Sequence, residues 1–139
     1  MKKTTNLVWG GRFEYDSSDI LKRINNSISF DYNLAHQDIK LNKQYAKSLF
    51  KAKILSVNEL KKINAALDDI HQEVKKRKFK FSDDFEDIHM NIEMALRKRV
   101  GRLAGKLHTG KSRNDQVVTD VKLWTKEKIK NVIDKIKKI

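Results

Sequence analysis

The 139 residues suffice for one domain with a real core; they carry 31 Lys and Arg against 18 Asp and Glu, a net charge of +13, and contain neither cysteine nor proline. A disulfide framework and a cysteine-based metal site are therefore excluded, and the missing proline with only five glycines argues against an all-β fold and for long helices. The excess charge is mostly lysine spread over helical faces, without the interleaved aromatics of a stacking platform, so it reads mainly as solvated surface, with an anionic substrate or nucleic acid as the other readings.

The N-terminal MKKTTNLVWGG has two lysines but no apolar run of signal-peptide length, and no stretch approaches a membrane span, so the expectation is a soluble cytoplasmic chain. LVWGGRF at 7–13 is short and apolar around a Gly-Gly pair, which predicts an extended segment with a turn, anchored by Trp9 and Phe13. Ser17, Ser18 and Asp19 are helix-start residues; Ile20, Leu21 and Ile24 supply one short apolar face before Asn25, Asn26 and Ser27 interrupt it. Taken alone, Ser27 is a turn residue. Asp31 stands where it would cap a long helix reaching about Leu55, with Leu34, Ala35, Tyr45, Ala46, Leu49 and Phe50 as its apolar stripe and His36 on the exposed side.

Ser56-Val57-Asn58-Glu59 is a capping box, and Leu60, Ile63, Leu67, Ile70 and Val74 follow on one side of the helix it starts. That pattern predicts an antiparallel pair with the preceding helix, with His71 at its edge. The basic run at 75–80 marks a helix end, where cations complement the dipole, and Phe79, Phe81 and Phe85 fasten the loop beyond it. DDFEDIHMNIE at 83–93 reverses the charge and predicts a helix with acids in its first turn. Ile88, Ile92, Leu96 and Val100 form its apolar face, and Gly101 its C-cap. His89 and Glu93 share an adjacent face at a spacing that permits a hydrogen bond or a shared metal, although two ligands alone make a poor site.

The chain is organised around GKLHTGKSRNDQVVTD at 105–120. Gly110 supplies the backbone freedom of a tight loop, and an amphipathic helix begins near Asp115 with Ser112 or Asn114 at its N-cap. A helix start exposes unpaired N–H groups and the positive end of the dipole, and Arg113 adds a planar fork, so the junction is a seat for a carboxylate or phosphate. Val117, Val121, Trp124, Ile129, Val132, Ile133, Ile136 and Ile139 carry an apolar face on to the last residue, and a helix of this kind needs partners along its length.

This sixteen-residue string closely resembles the first signature loop of the argininosuccinate lyase family, in the fumarase/aspartase superfamily. LVWGGRF resembles that family's N-terminal signature, Asn25, Ser27 and Ile28 stand at the positions of its Asn-x-Ser-Ile segment, and Glu86-Asp87-Ile88-His89 is similar to its Asp-Ile-His helix start. The resemblance implies an all-α fold, with residues 1–111 as an N-terminal helical domain and 112–139 as the start of a long helix of a central bundle. It also implies a homotetramer, no cofactor, no metal, and reversible elimination of argininosuccinate to arginine and fumarate. By the same resemblance Ser27, Thr109, Ser112, Arg113, Asn114 and Gln116 bind substrate, while Asp87 and His89 support the site without abstracting the proton. The sequence departs from the family at Lys111, where Arg is usual, which keeps the charge and loses the bidentate fork. The family's second signature, with its Thr-His pair, and its serine loop do not occur in these residues, so no general base is expected in this chain. The rival expectation is a small basic helical module that binds nucleic acid or a partner protein.

Overall fold

The computed structural model describes residues 19–139, and all regular structure among them is helical: α1 (Asp19–Asn25), α2 (Ile28–Asp31), α3 (Ala35–Lys51), α4 (Val57–Lys75), α5 (Ile88–Val100) and α6 (Arg113–Ile136). Short 3₁₀ segments join α2 to α3 (Tyr32–Leu34) and extend α5 (Gly101–His108). The expected extended segment at 7–13 and the residues Ser17 and Ser18 lie outside the described residues.

The capping box forms as the sequence predicts: Ser56 Oγ accepts from the Glu59 N–H at 3.2 Å, and Glu59 Oε2 accepts from the Ser56 N–H at 2.8 Å. It starts α4 just after α3 has stopped. Lys43 of α3 meets Asp68 of α4 at 2.5 Å, while His36, nearer the start of α3, meets His71, nearer the end of α4. That order of partners holds only for antiparallel helices. Ile39, Ile63, Leu67, Ile70, Ile88, Ile92 and Leu96, each under 2% exposed, form the core that α3, α4 and α5 share. Phe79 and Phe81 pack on it from the loop, with ring centroids 5.0 Å apart.

Three expectations are corrected. Asp31 does not cap a long helix. It ends α2, and its carboxylate accepts from the Ile88 N–H at 3.1 Å, so a distant helix start takes the acceptor and α3 begins only at Ala35. Nor does α3 reach Leu55. Lys53 adopts φ 61°, and the N–H of Ile54 bonds back to the Leu49 carbonyl at 2.9 Å, closing a left-handed C-terminal cap. The acids at 83–86 do not form the first turn of α5: Asp87 is its N-cap, accepting from the Met90 N–H at 2.7 Å. The apolar faces of α1 and the far half of α6 are not covered; Ile20, Ile24, Val132 and Ile136 are 72%, 74%, 55% and 64% exposed.

Candidate functional site

The site is assembled where three segments distant in sequence are tied together. Asn26 Oδ1 accepts from the Ile28 N–H at 3.2 Å, a local turn that breaks α1 from α2, and Asn26 Nδ2 donates to the Asp83 carbonyl at 3.1 Å. The Ser27 N–H donates to the Glu86 carbonyl at 2.8 Å, and Ser27 Oγ donates to Asp31 Oδ2 at 2.7 Å. Asp31 in turn holds the first N–H of α5, so the turn at Ser27 and the start of α5 form one unit. Arg113, the first residue of α6, completes it with Nη1 at 3.4 Å from Asp87 Oδ1 and Nη2 at 3.9 Å from Glu93 Oε2. His108 Nδ1 lies 3.6 Å from the same Glu93 oxygen. Glu86 is held above the usual carboxylate range by burial and by the neighbouring Asp87 charge, with Arg113 opposing.

The signature stretch is only partly a loop. Residues 105–108 continue the 3₁₀ segment, with Leu107 joining Ala104 in the core, and the open turn is confined to 109–112. Gly110 has φ 68°, a conformation costly for a residue with a Cβ, which is why a glycine stands there. The Tyr45 hydroxyl donates to the Thr109 carbonyl at 2.6 Å, fixing the turn while the rest of Thr109 remains exposed. Ser112 is the N-cap, accepting from the Asn114 N–H at 3.3 Å, and Asn114 is exposed on the first turn of α6. Lys111 does not project freely. Its ammonium donates to Asn42 Oδ1 at 2.7 Å and lies 5.5 Å from the Tyr45 ring centroid; burial lowers its pKa against the opposing pull of Asp38, Glu93 and Asp120.

Beneath this surface lies a buried layer that the sequence reading missed. Asp38 Oδ1 accepts from His89 Nδ1 at 2.8 Å and from Gln116 Nε2, and Asp38 Oδ2 accepts from Asn42 Nδ2 at 2.9 Å. His89 therefore faces α3, not Glu93, and the amide of Gln116 points into the protein. Asp120, one turn beyond Gln116, brings Oδ2 to 3.5 Å from His89 Nδ1, and neither of its carboxylate oxygens has a hydrogen-bond partner. Burial alone would raise the Asp38 carboxyl, but the His89 and Gln116 bonds and the Lys111 charge outweigh it and hold it low. Burial and the Asp38 charge push Asp120 up to about 9. Asp38, His89 and Asp120 each bring one carboxylate oxygen or ring nitrogen to within 4.8 Å of the others. The sequence signal was present as polar pairs four residues apart, Asp38 with Asn42 and Gln116 with Asp120, each on an inward face of its helix. A hollow of about 10 Å³, room for about one water, lies beside His89 and Lys111.

The comparisons bear on the whole of this arrangement. A family model described as lyase matches residues 11–139. The chain is 47% identical over 135 residues to the argininosuccinate lyase of Ehrlichia ruminantium strain Welgevonden, covering 97% of this chain and 29% of that protein. It is 51% identical over 124 residues to the argininosuccinate lyase of Ehrlichia canis strain Jake (89% and 26%) and 45% identical over 127 residues to that of Sulfurihydrogenibium sp. strain YO3AOP1 (91% and 28%). The chain thus spans under a third of the length of these relatives. Since the matched span takes in Ser27, Asp87, Arg113 and every helix that carries them, the chain belongs to the lyase family.

Proposed function

We propose that these residues supply the anion-binding part of an argininosuccinate lyase site, in which argininosuccinate is cleaved to arginine and fumarate by elimination of the C–N bond. The observation that carries this reading is the convergence of Ser27, Asp87 and Arg113 from three segments on one surface, at the exposed start of a 24-residue helix. Elimination removes a proton from the carbon next to a carboxylate and passes through a doubly charged carboxylate, which preorganised donors must stabilise. The first N–H groups of α6, the Arg113 guanidinium, the Asn114 amide, and the Thr109 and Ser112 hydroxyls are donors of that kind, and the Ser27 hydroxyl joins them by exchanging its bond to Asp31 Oδ2 for one to the substrate. Gln116 acts from below, anchoring the helix start through Asp38, while Asp87 orients Arg113 and His89 orients Asp38.

In this reading residues 1–111 form an N-terminal helical domain, 112–139 begin a helix of the central bundle of a cytoplasmic homotetramer, and the general base comes from residues outside this chain. Lys111 keeps a positive charge near the site without touching substrate. The test is Asn114→Leu in the active assembly, measured by fumarate formation from argininosuccinate. Turnover falls at least 100-fold, as for loss of one oxyanion-type donor at about 10²–10³. Unchanged kinetics would remove Asn114 from the site and with it this reading of the helix start.

A further inference from the structure

Asp38 and Asp120 are both 0% exposed and stand within 4.8 Å of each other and of His89 Nδ1. Asp38 has donors on both oxygens; Asp120 has none. Ionising both carboxylates so close together in a buried site is strongly disfavoured, and a buried carboxylate without a hydrogen-bond donor is stabilised by taking a proton or a cation. A divalent cation would have to draw Asp38 Oδ1 away from two donors, take the His89 Nδ1 lone pair in place of its N–H, and sit beside the Lys111 ammonium. A proton requires none of this. We propose that Asp120 is a neutral carboxylic acid that donates its hydroxyl proton to the Asp38 carboxylate, and that this O–H···O bond makes Asp120 a positioning residue for the helix start that bears Ser112, Arg113 and Asn114.

Asp120 and Gln116 lie one turn apart on α6, and both address Asp38 on α3, which is also held by His89 on α5. The latch thus fixes the axis of α6 against two other helices within two turns of its start. The charged and titratable groups facing Asp120 are Asp38 from α3, His89 from α5 and Lys111 from the preceding loop. Of these, Asp38 keeps the proton on Asp120 and Lys111 works to release it. The inference stands apart from the lyase reading, because its tests need no turnover.

The experiment is to follow the carboxyl Cγ shifts of ¹³C-aspartate-labelled intact protein, with the infrared carbonyl band of a protonated carboxyl, through a pH series. One buried protonated carboxyl is expected at pH 7, absent from Asp120→Asn and titrating near pH 9. Asp120→Asn, which keeps a donor toward Asp38, retains the neutral-pH thermal midpoint, whereas Asp120→Leu lowers it by several degrees. An ionised Asp120 at pH 7 would overturn the proposal. So would a stoichiometric divalent metal in the purified protein that chelator strips and Asp120→Asn fails to retain, or an Asp120→Asn midpoint as low as that of Asp120→Leu.

Discussion

Lys53 and Arg77 carry the two positive φ angles outside glycine among the described residues, 61° and 54°, and each closes the end of a helix. Left-handed backbone costs a residue with a Cβ about 1–2 kcal/mol, and both side chains are exposed, so neither recovers that cost through packing. Glycine removes the strain and adds some entropy to the unfolded chain, roughly 0.4–1 kcal/mol. Lys53→Gly and Arg77→Gly should therefore each raise stability by about 0.5–1 kcal/mol in urea titration; a lower midpoint with unchanged slope would mean that no strain is stored there. At this scale the sequence was legible where residue type dictates backbone, as at Gly110, Gly101 and Ser112. It was opaque at Asp38 and Asp120, because a polar residue on a helix has the same appearance whether it faces solvent or a buried partner. Only the third dimension tells the two apart.

Among elements, the α3–α4 pair carries a pH dependence of its own. His36 Nδ1 and His71 Nε2 are 3.0 Å apart, so the contact requires at least one neutral ring. Burial, His36, Lys43 and Lys75 lower the pKa of His71 from 6.5, with Asp68 pulling the other way. A histidine whose folded pKa lies below its unfolded value contributes stability that is full above pH 6.5 and is lost as pH falls toward and through the depressed value. A neutral Asp120, whose folded value lies far above its unfolded one, gains stability over the same interval, so the His71 contribution is read as a difference: the urea midpoint of His71→Gln should rise relative to the unaltered protein from pH 7.5 to 5, and parallel curves for the two proteins would place the histidine's acid sensitivity elsewhere. The elements themselves followed from the sequence wherever local chemistry ruled, as in the capping box and the five-residue apolar stripe of α4. They shifted where a tertiary partner outbid it. Asp31, placed by its position to cap α3, is drawn instead to the start of α5, and α5 itself waits for Asp87.

On the scale of the whole molecule, α6 is in contact with α3 as far as Glu127, whose carboxylate accepts from Gln37 Nε2 at 2.9 Å, and its apolar residues beyond that point lie open, with Ile129, Val132, Ile133 and Ile136 45–64% exposed. Ile20, Ile24 and Phe30 are also 66–74% exposed, and uncovered apolar side chains of this size favour association. The 139-residue chain by itself should self-associate in sedimentation velocity, and more so at high salt, which screens the repulsion of its +13 charge. A single monomeric boundary at all salt concentrations would contradict this. The helical class and the order of helices were legible from proline-free periodicity; the open face of α6 was legible only as a demand for partners. The stitch between Ser27 and Glu86 has a kinetic side. It joins groups 59 residues apart, and the bond from Ile88 to Asp31 spans 57, so a long loop must close before either forms. Nascent helices can appear early, but the surface that gathers Ser27, Asp87 and Arg113 comes into existence only with that closure. A chain caught partway, however helical, still holds these three residues apart.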